Sequence, residues 1–174
     1  MEKNYKAKLK DIKVFIFDVD GVFTNNIILV TNEGEQLRTA NVRDGYAVQL
    51  AMKSGLRIVI LSGGKGEGTQ KRFAGLGVKD IFLGASNKME VFEKFLADNN
   101  LQATEACYMG DDIPDYVVMK NVGLACCPAD AVNEIKSIAH YTSPHRGGEG
   151  CVRDILEQAM KLKGIWKKSE ALIW

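Results

Sequence analysis

Short apolar runs, separated by segments of helical period, constrain this chain more than any other feature of its sequence. Val14 to Phe17, Ile58 to Leu61, Asp80 to Leu83, Ala106 to Met109 and Gly123 to Ala125 are such runs. Each has the length of a strand and is apolar enough to be covered on both faces. Helical patterns lie between them. Asp44, read as an N-cap, opens a helix that runs to Ser54 and stops at Gly55. Others run from Gly66 to Ala74, from Ser86 through Val91, Phe92, Phe95 and Leu96 on one face, from Asp112 to Asn121, from Ala131 to Ser137 and from Cys151 to Lys163. Strand alternating with helix predicts a Rossmann-like α/β fold, a parallel sheet with helices on both faces and right-handed crossovers. In such sheets chemistry gathers beyond the carboxyl ends of the strands.

One segment breaks the alternation. Asn26 to Val30 and Glu35 to Ala40 read as two strands joined at Thr31-Asn32-Glu33-Gly34, a β-hairpin inserted before the first helix. It is too small to be a domain. A lone hairpin is marginal in water, so it is expected to pack on something, a sister subunit included. The 174 residues are expected to form one domain, 1–174. Lys3 to Lys13 reads as a solvated leader, and Lys167 to Trp174 as a tail that frays or docks.

The formal net charge of +1 gives no push toward nucleic acid or an anionic membrane. No apolar run approaches the roughly 18 residues of a membrane span. The first ten residues are polar, without a signal-peptide core, so a cytoplasmic location is expected. Cys107, Cys126, Cys127 and Cys151 lack zinc-ligand spacing and are expected to be reduced.

The strand ends carry carboxylates. Asp18 and Asp20 follow the first apolar run, and Gly21 permits a sharp exit. Asp-x-Asp-Gly is common in ordinary loops, but after a buried strand two carboxylates call for a hard divalent cation such as magnesium. Asp111, Asp112 and Asp115 follow Ala106 to Met109 in the same way. Asp111 is the best metal ligand of the three. Asp112 and Asp115 can equally cap the next helix and complement its dipole. Ser62-Gly63-Gly64 after Ile58 to Leu61 is either a phosphate cradle or a plain loop. Lys88 at a helix start opposes the dipole, so it is either solvated or faces an anion or a carboxylate.

Asp18-Val19-Asp20-Gly21, Ser62, Lys88 and Gly110-Asp111-Asp112-x-x-Asp115 together resemble the four ordered motifs of the haloacid dehalogenase superfamily, over essentially the whole chain. Asn41-Val42-Arg43-Asp44-Gly45-Tyr46, Ser86-Asn87-Lys88 and Arg146-Gly147-Gly148-Glu149-Gly150 are similar to the 3-deoxy-D-manno-octulosonate 8-phosphate (KDO 8-phosphate) phosphatase family. The resemblance implies a magnesium-dependent phosphatase of lipopolysaccharide biosynthesis with an aspartyl-phosphate intermediate. It also implies a homotetramer in which the hairpin and the glycine-rich segment 146–150 of neighbours help close each site.

In that resemblance Asp18 is the nucleophile and Asp20 the general acid/base. Magnesium is held by the Asp18 carboxylate, the Asp20 backbone carbonyl and Asp111, with Asp112 and Asp115 in support. Ser62 and Lys88 hold phosphoryl oxygens. Asn41, Val42, Arg43, Asp44, Gly45 and Arg72 face the sugar acid, with Arg43 or Arg72 meeting its carboxylate, and Arg146 reaches a neighbour's substrate; alternatively 146–150 is a plain flexible loop. Many family members have Thr-Gly-Arg where this chain has Ser62-Gly63-Gly64. That departure leaves a nine-carbon keto-deoxy sugar acid 9-phosphate as the alternative substrate, and a non-catalytic binding module as the alternative class.

Overall fold

The computed structural model describes residues 4–166. The tail from Lys167 to Trp174 lies outside the described residues, as does Lys3, the first residue of the segment that reads as a leader. The remainder of that segment is not a solvated leader: it is helix α1, Tyr5–Asp11, capped by the Asn4 side chain on the Ala7 amide. Leu9 and Ile12 turn into the core and anchor it.

Six parallel strands form the sheet: β1 Val14–Phe17, β4 Arg57–Leu61, β5 Asp80–Phe82, β6 Ala106–Met109, β7 Leu124–Cys127 and β8 Tyr141–Thr142, in the order β5-β4-β1-β6-β7-β8. The fold expectation holds, with β8 added at one edge. That strand has two residues, too few to show a period. Successive side chains of a strand point to opposite faces. Phe15 and Phe17 therefore join one core, and Val14 and Ile16 the other. The first core is closed by α1, α2 (Val42–Lys53), α3 (Glu67–Gly75) and α7 (Cys151–Leu162). The second is closed by α4 (Lys88–Asp98), α5 (Tyr116–Asn121) and α6 (Asn133–Ile138).

Helix α2 begins earlier than expected. Its cap is Asn41, whose side-chain oxygen accepts the Arg43 and Asp44 amides. Asp44 lies inside the first turn and is fully buried. Its Oδ1 accepts the Arg153 amide at 2.7 Å, so it caps α7, a helix 109 residues further along the chain. Capping does not require sequence neighbours, only an oxygen facing unpaired amides.

The hairpin is present but shorter than expected: β2 Leu29–Val30 pairs antiparallel with β3 Gln36–Leu37. Asn26 adopts φ 62°, a left-handed conformation that asparagine tolerates and a strand does not, so pairing starts later. The hairpin exposes an apolar stripe, with Ile27 and Leu29 each 66% accessible. All four cysteines are free thiols and buried. No helix among the described residues is long and apolar enough to cross a membrane.

Candidate active site

The sheet order places the site. From β1 the chain steps outward through β4 to β5, then returns to the other side of β1 and steps outward through β6, β7 and β8. The strand order therefore reverses between β1 and β6, where a crevice opens at their carboxyl ends. Register aligns Phe17 with Met109, so Asp18 and the loop after Met109 emerge side by side.

Asp18 is 7% exposed. Its Oδ1 accepts the Val19 amide at 2.7 Å, and its Oδ2 lies 2.9 Å from Lys88 Nζ. Lys88 is the first residue of α4, and it reaches both Asp18 and Asp115 Oδ1, the latter at 2.6 Å. Sequence offered either a solvated lysine or one facing a carboxylate. The second holds: the ammonium is buried among carboxylates that offset its placement against the dipole. Burial alone would lower its pKa, but Asp18 and Asp115 raise it.

Asp18, Asp111 and Asp115 bring carboxylate oxygens within 4.8 Å of one another. Their partners divide them. Asp115 accepts Lys88 Nζ and the Tyr108 hydroxyl at Oδ1, and the Asp111 amide at Oδ2. Three donors already engage its oxygens, in keeping with the supporting role expected of it. Asp111 accepts the Asn26 amide group at Oδ2, 2.8 Å away. Gly21 (φ 80°) makes this possible, since a Cβ there would overlap both Asp111 and Asn26. Asp112 is exposed and caps the short turn Ile113–Asp115 through the Ile113 amide.

Two nearly dry carboxylates without a full charge balance leave a demand for a cation. Burial lifts Asp18 to about 6, with Asp115 adding and Lys88 opposing. Burial lifts Asp111 to about 7, opposed by Asn26 and increased by Asp18 and Asp115. Their oxygens are hard donors, so Asp18 and Asp111 fit magnesium.

The sign of the pH effect follows. Both folded-state values lie above the ordinary carboxyl value of about 3.9. The stability these groups contribute to the metal-free chain is full below that value and is lost as pH rises through 6 and 7. Magnesium prefers the ionised pair, so it should raise the melting temperature much more at pH 8 than at pH 5. Thermal melts with magnesium and with chelator check this. An equal shift at both pH values, or none, would remove the cation from these two residues.

Ser62 is buried at the end of β4, and its hydroxyl oxygen accepts the Gly64 amide at 3.2 Å. The hydroxyl proton remains for an incoming oxygen. Asp20 points elsewhere: Arg38 of the hairpin donates Nε to its Oδ1 at 2.7 Å and Nη2 to its Oδ2 at 3.0 Å. Its carboxylate is outside the acidic cluster.

Beside this loop lies a cleft of about 1000 Å³ between the hairpin and α3. Asn41, Gly45 and Arg72 line it, together with Arg38, Lys65 and Thr69. Val42, Arg43, Asp44 and Arg146 are not among its lining residues. Val42 is exposed, Arg43 borders a separate groove by α7, and Asp44 is committed to α7. Arg146 sits 3.5 Å from Asp130. The glycines beside it pack on the loop after β1. A Cβ at Gly147 would overlap the Gly21 carbonyl, the Gly148 amide donates to Val22 O, and Asn41 Nδ2 donates to Gly148 O.

Sequence reading did not single out Asn26, Arg38 or Tyr108. A lone arginine in a hairpin and a tyrosine in an apolar strand carry no local signal. Asn25-Asn26 is a pair of turn-forming residues, a signal that could have kept Asn26 out of the strand.

Paired carboxylates, a buried lysine and a buried serine at four strand ends of this fold define a phosphoryl-transfer site of the haloacid dehalogenase type. No protein-family model matches the chain. The 3-deoxy-D-manno-octulosonate 8-phosphate phosphatase KdsC of Escherichia coli K12 is 35% identical over 158 residues, 91% of this chain and 84% of that protein. The crystal structure of the Yersinia pestis phosphatase of that name has a TM-score of 0.90 at 32% identity, covering 92% of this chain and 87% of that one. The Moraxella catarrhalis phosphatase, in complex with magnesium ion, phosphate ion and a KDO molecule, has a TM-score of 0.90 at 25% identity, covering 95% of each chain. The chain belongs to the KDO 8-phosphate phosphatase family of the haloacid dehalogenase superfamily, whose named relatives are phosphoric monoester hydrolases.

Proposed function

We propose that the chain hydrolyses KDO 8-phosphate to KDO and phosphate through an aspartyl-phosphate on Asp18. The observation that carries this is Asp18 itself, buried at the β1/β6 crevice and held by Lys88, with a cleft large enough for a sugar acid lined by its neighbour Val19. Asp18 attacks phosphorus in line, and the bond to the sugar oxygen breaks. Asp20 gives that oxygen its proton. Asp20 then takes a proton from water, whose oxygen attacks phosphorus and releases Asp18 and inorganic phosphate. Two of the three ammonium protons of Lys88 serve Asp18 and Asp115, which leaves one for a phosphoryl oxygen, and Ser62 supplies another donor. Magnesium, held by the Asp18 carboxylate, the Asp20 backbone carbonyl and Asp111, offsets charge on the phosphoryl group when bound.

Arg72 lines the cleft and is the cation for the sugar's own carboxylate. Asn41 and Gly45 line the same wall. The chain acts in the cytoplasm in lipopolysaccharide synthesis, as one domain that assembles into a homotetramer. The exposed apolar hairpin supports assembly, and the exposure of Arg146 beside the docked glycines supports its reach to a neighbour's substrate.

Gly64 favours one second reading. With no side chain there, the cleft also has room for a nine-carbon keto-deoxy sugar acid 9-phosphate. Phosphate release from the eight- and nine-carbon esters, with magnesium, separates the two. We expect the higher kcat/KM on KDO 8-phosphate and arrest by chelator. The reverse preference assigns the nine-carbon sugar. No release from either leaves a binding module.

A further inference from the structure

In the proposed reaction Asp20 transfers a proton twice, so its carboxylate must be aimed. Asp20 follows β1 in a loop, and its side chain is 30% exposed. Asp18 is fixed by Lys88 and the Val19 amide, and Asp115 by three donors. Asp20 is fixed by the hairpin: both of its oxygens take a donor from one guanidinium. A two-point contact between planar groups sets direction as well as distance. The Arg38 side chain is 10% exposed and that of Asp20 30%, so the pair is partly sheltered and held at two points.

The loop after β4 is shaped for it. A Cβ on Gly64 would lie 3.0 Å from Asp20 Oδ2 and 3.2 Å from Arg38 Nη2, both tighter than ordinary contact. A side chain at 64 would press on the pair. Arg38 comes one residue after β3, so the hairpin delivers the guanidinium.

Resting on the Asp20 assignment above, we propose that Arg38 is a positioning residue that holds the Asp20 carboxylate in the orientation that takes the proton from the attacking water. Each carboxylate oxygen has a second lone pair after accepting from Arg38. In that step the water oxygen bonds to phosphorus, the bond from phosphorus to the Asp18 oxygen breaks, and the proton passes to Asp20. The earlier step needs a protonated Asp20, so Arg38 acts chiefly on the later one.

The test uses p-nitrophenyl phosphate with the magnesium-loaded enzyme, because nitrophenolate leaves without a proton. Arg38→Met keeps the apolar stem and removes the fork. It should lower kcat by about 10- to 100-fold, in the range of one proton-transfer group. KM should fall with it, leaving kcat/KM within about threefold, because only the step after the covalent intermediate is slowed. Acid quenching during turnover should trap a larger fraction of enzyme carrying phosphate on Asp18. Arg38→Lys should fall between, since an ammonium makes a point contact, and it carries the same test if Arg38→Met fails to fold. The double variant with Asp20→Asn should be no slower than Asp20→Asn alone.

A raised KM at unchanged kcat would make Arg38 a substrate-binding cation instead. A lower kcat without added phosphoenzyme, or additive losses in the double variant, would also overturn the proposal. Trapped phosphate in Asp20→Asn but not in Arg38→Met removes Arg38 alone. Its absence from both the unaltered enzyme and Asp20→Asn removes the two-step reading itself.

Discussion

Asp18→Asn should lose at least about 1000-fold in turnover on any phosphate monoester, because an amide is no nucleophile for phosphorus. The fold should persist. Asparagine is nearly isosteric, and its side-chain oxygen can still accept the Val19 amide that Asp18 Oδ1 accepts at 2.7 Å. Burial and Asp115 press against the charge on Asp18 and hold it at about 6, so removing that charge relieves repulsion more than it breaks a bond. In chelator at neutral pH the urea midpoint should therefore be equal to or above that of the unaltered chain. Phosphate release and urea titration measure the two halves. Turnover within about tenfold of the unaltered enzyme would take the nucleophile role away from Asp18.

Lys88→Met should damage both stability and chemistry. Lys88 is the buried cation between Asp18 and Asp115, with ion pairs of 2.9 and 2.6 Å. Removing one partner of a buried ion pair leaves charge uncompensated, at a cost of about 3–5 kcal/mol. The Tyr108 hydroxyl and the Asp111 amide would still hold Asp115, but Asp18 would keep only the Val19 amide. Turnover should fall by more than about 100-fold with the loss of a preorganised charge at the phosphoryl group. Urea unfolding at pH 7.5 in chelator should show the destabilisation, and lowering the pH toward 5 should shrink it as the carboxyls protonate. A stability loss below about 1 kcal/mol, the size of a surface pair, would mean that the ammonium is not the charge that holds these carboxylates together.

The layered fold was legible because its strands are buried on both faces and so read as unbroken apolar runs. Val14–Phe17 and Ala106–Met109 begin and end where the sequence places them. The placement of Asp18 and Asp111 at one crevice followed from that and from the rule for parallel sheets. Elements whose order comes from distant partners were harder to read. Helix α1 is stabilised by burying Leu9 under the sheet, and β8 by pairing with β7, neither of which leaves a local period. Asp44 has every local mark of an N-cap, yet its amide partner belongs to α7. Within the site, a serine, a lysine and carboxylates after strands announce themselves. Arg38 and Asn26 matter through contacts 18 and 85 residues away, so only the folded chain displays them.

Mass spectrometry of the peptide containing Asp18, after acid quenching of the magnesium-loaded enzyme in mid-turnover on KDO 8-phosphate, reads the covalent intermediate itself. One phosphoryl group is expected on Asp18, discharged when the quench is delayed past substrate exhaustion and missing in Asp18→Asn. Phosphate release with an unmodified Asp18 throughout, or a phosphoryl group on Ser62 instead, would contradict the role of Asp18 as nucleophile.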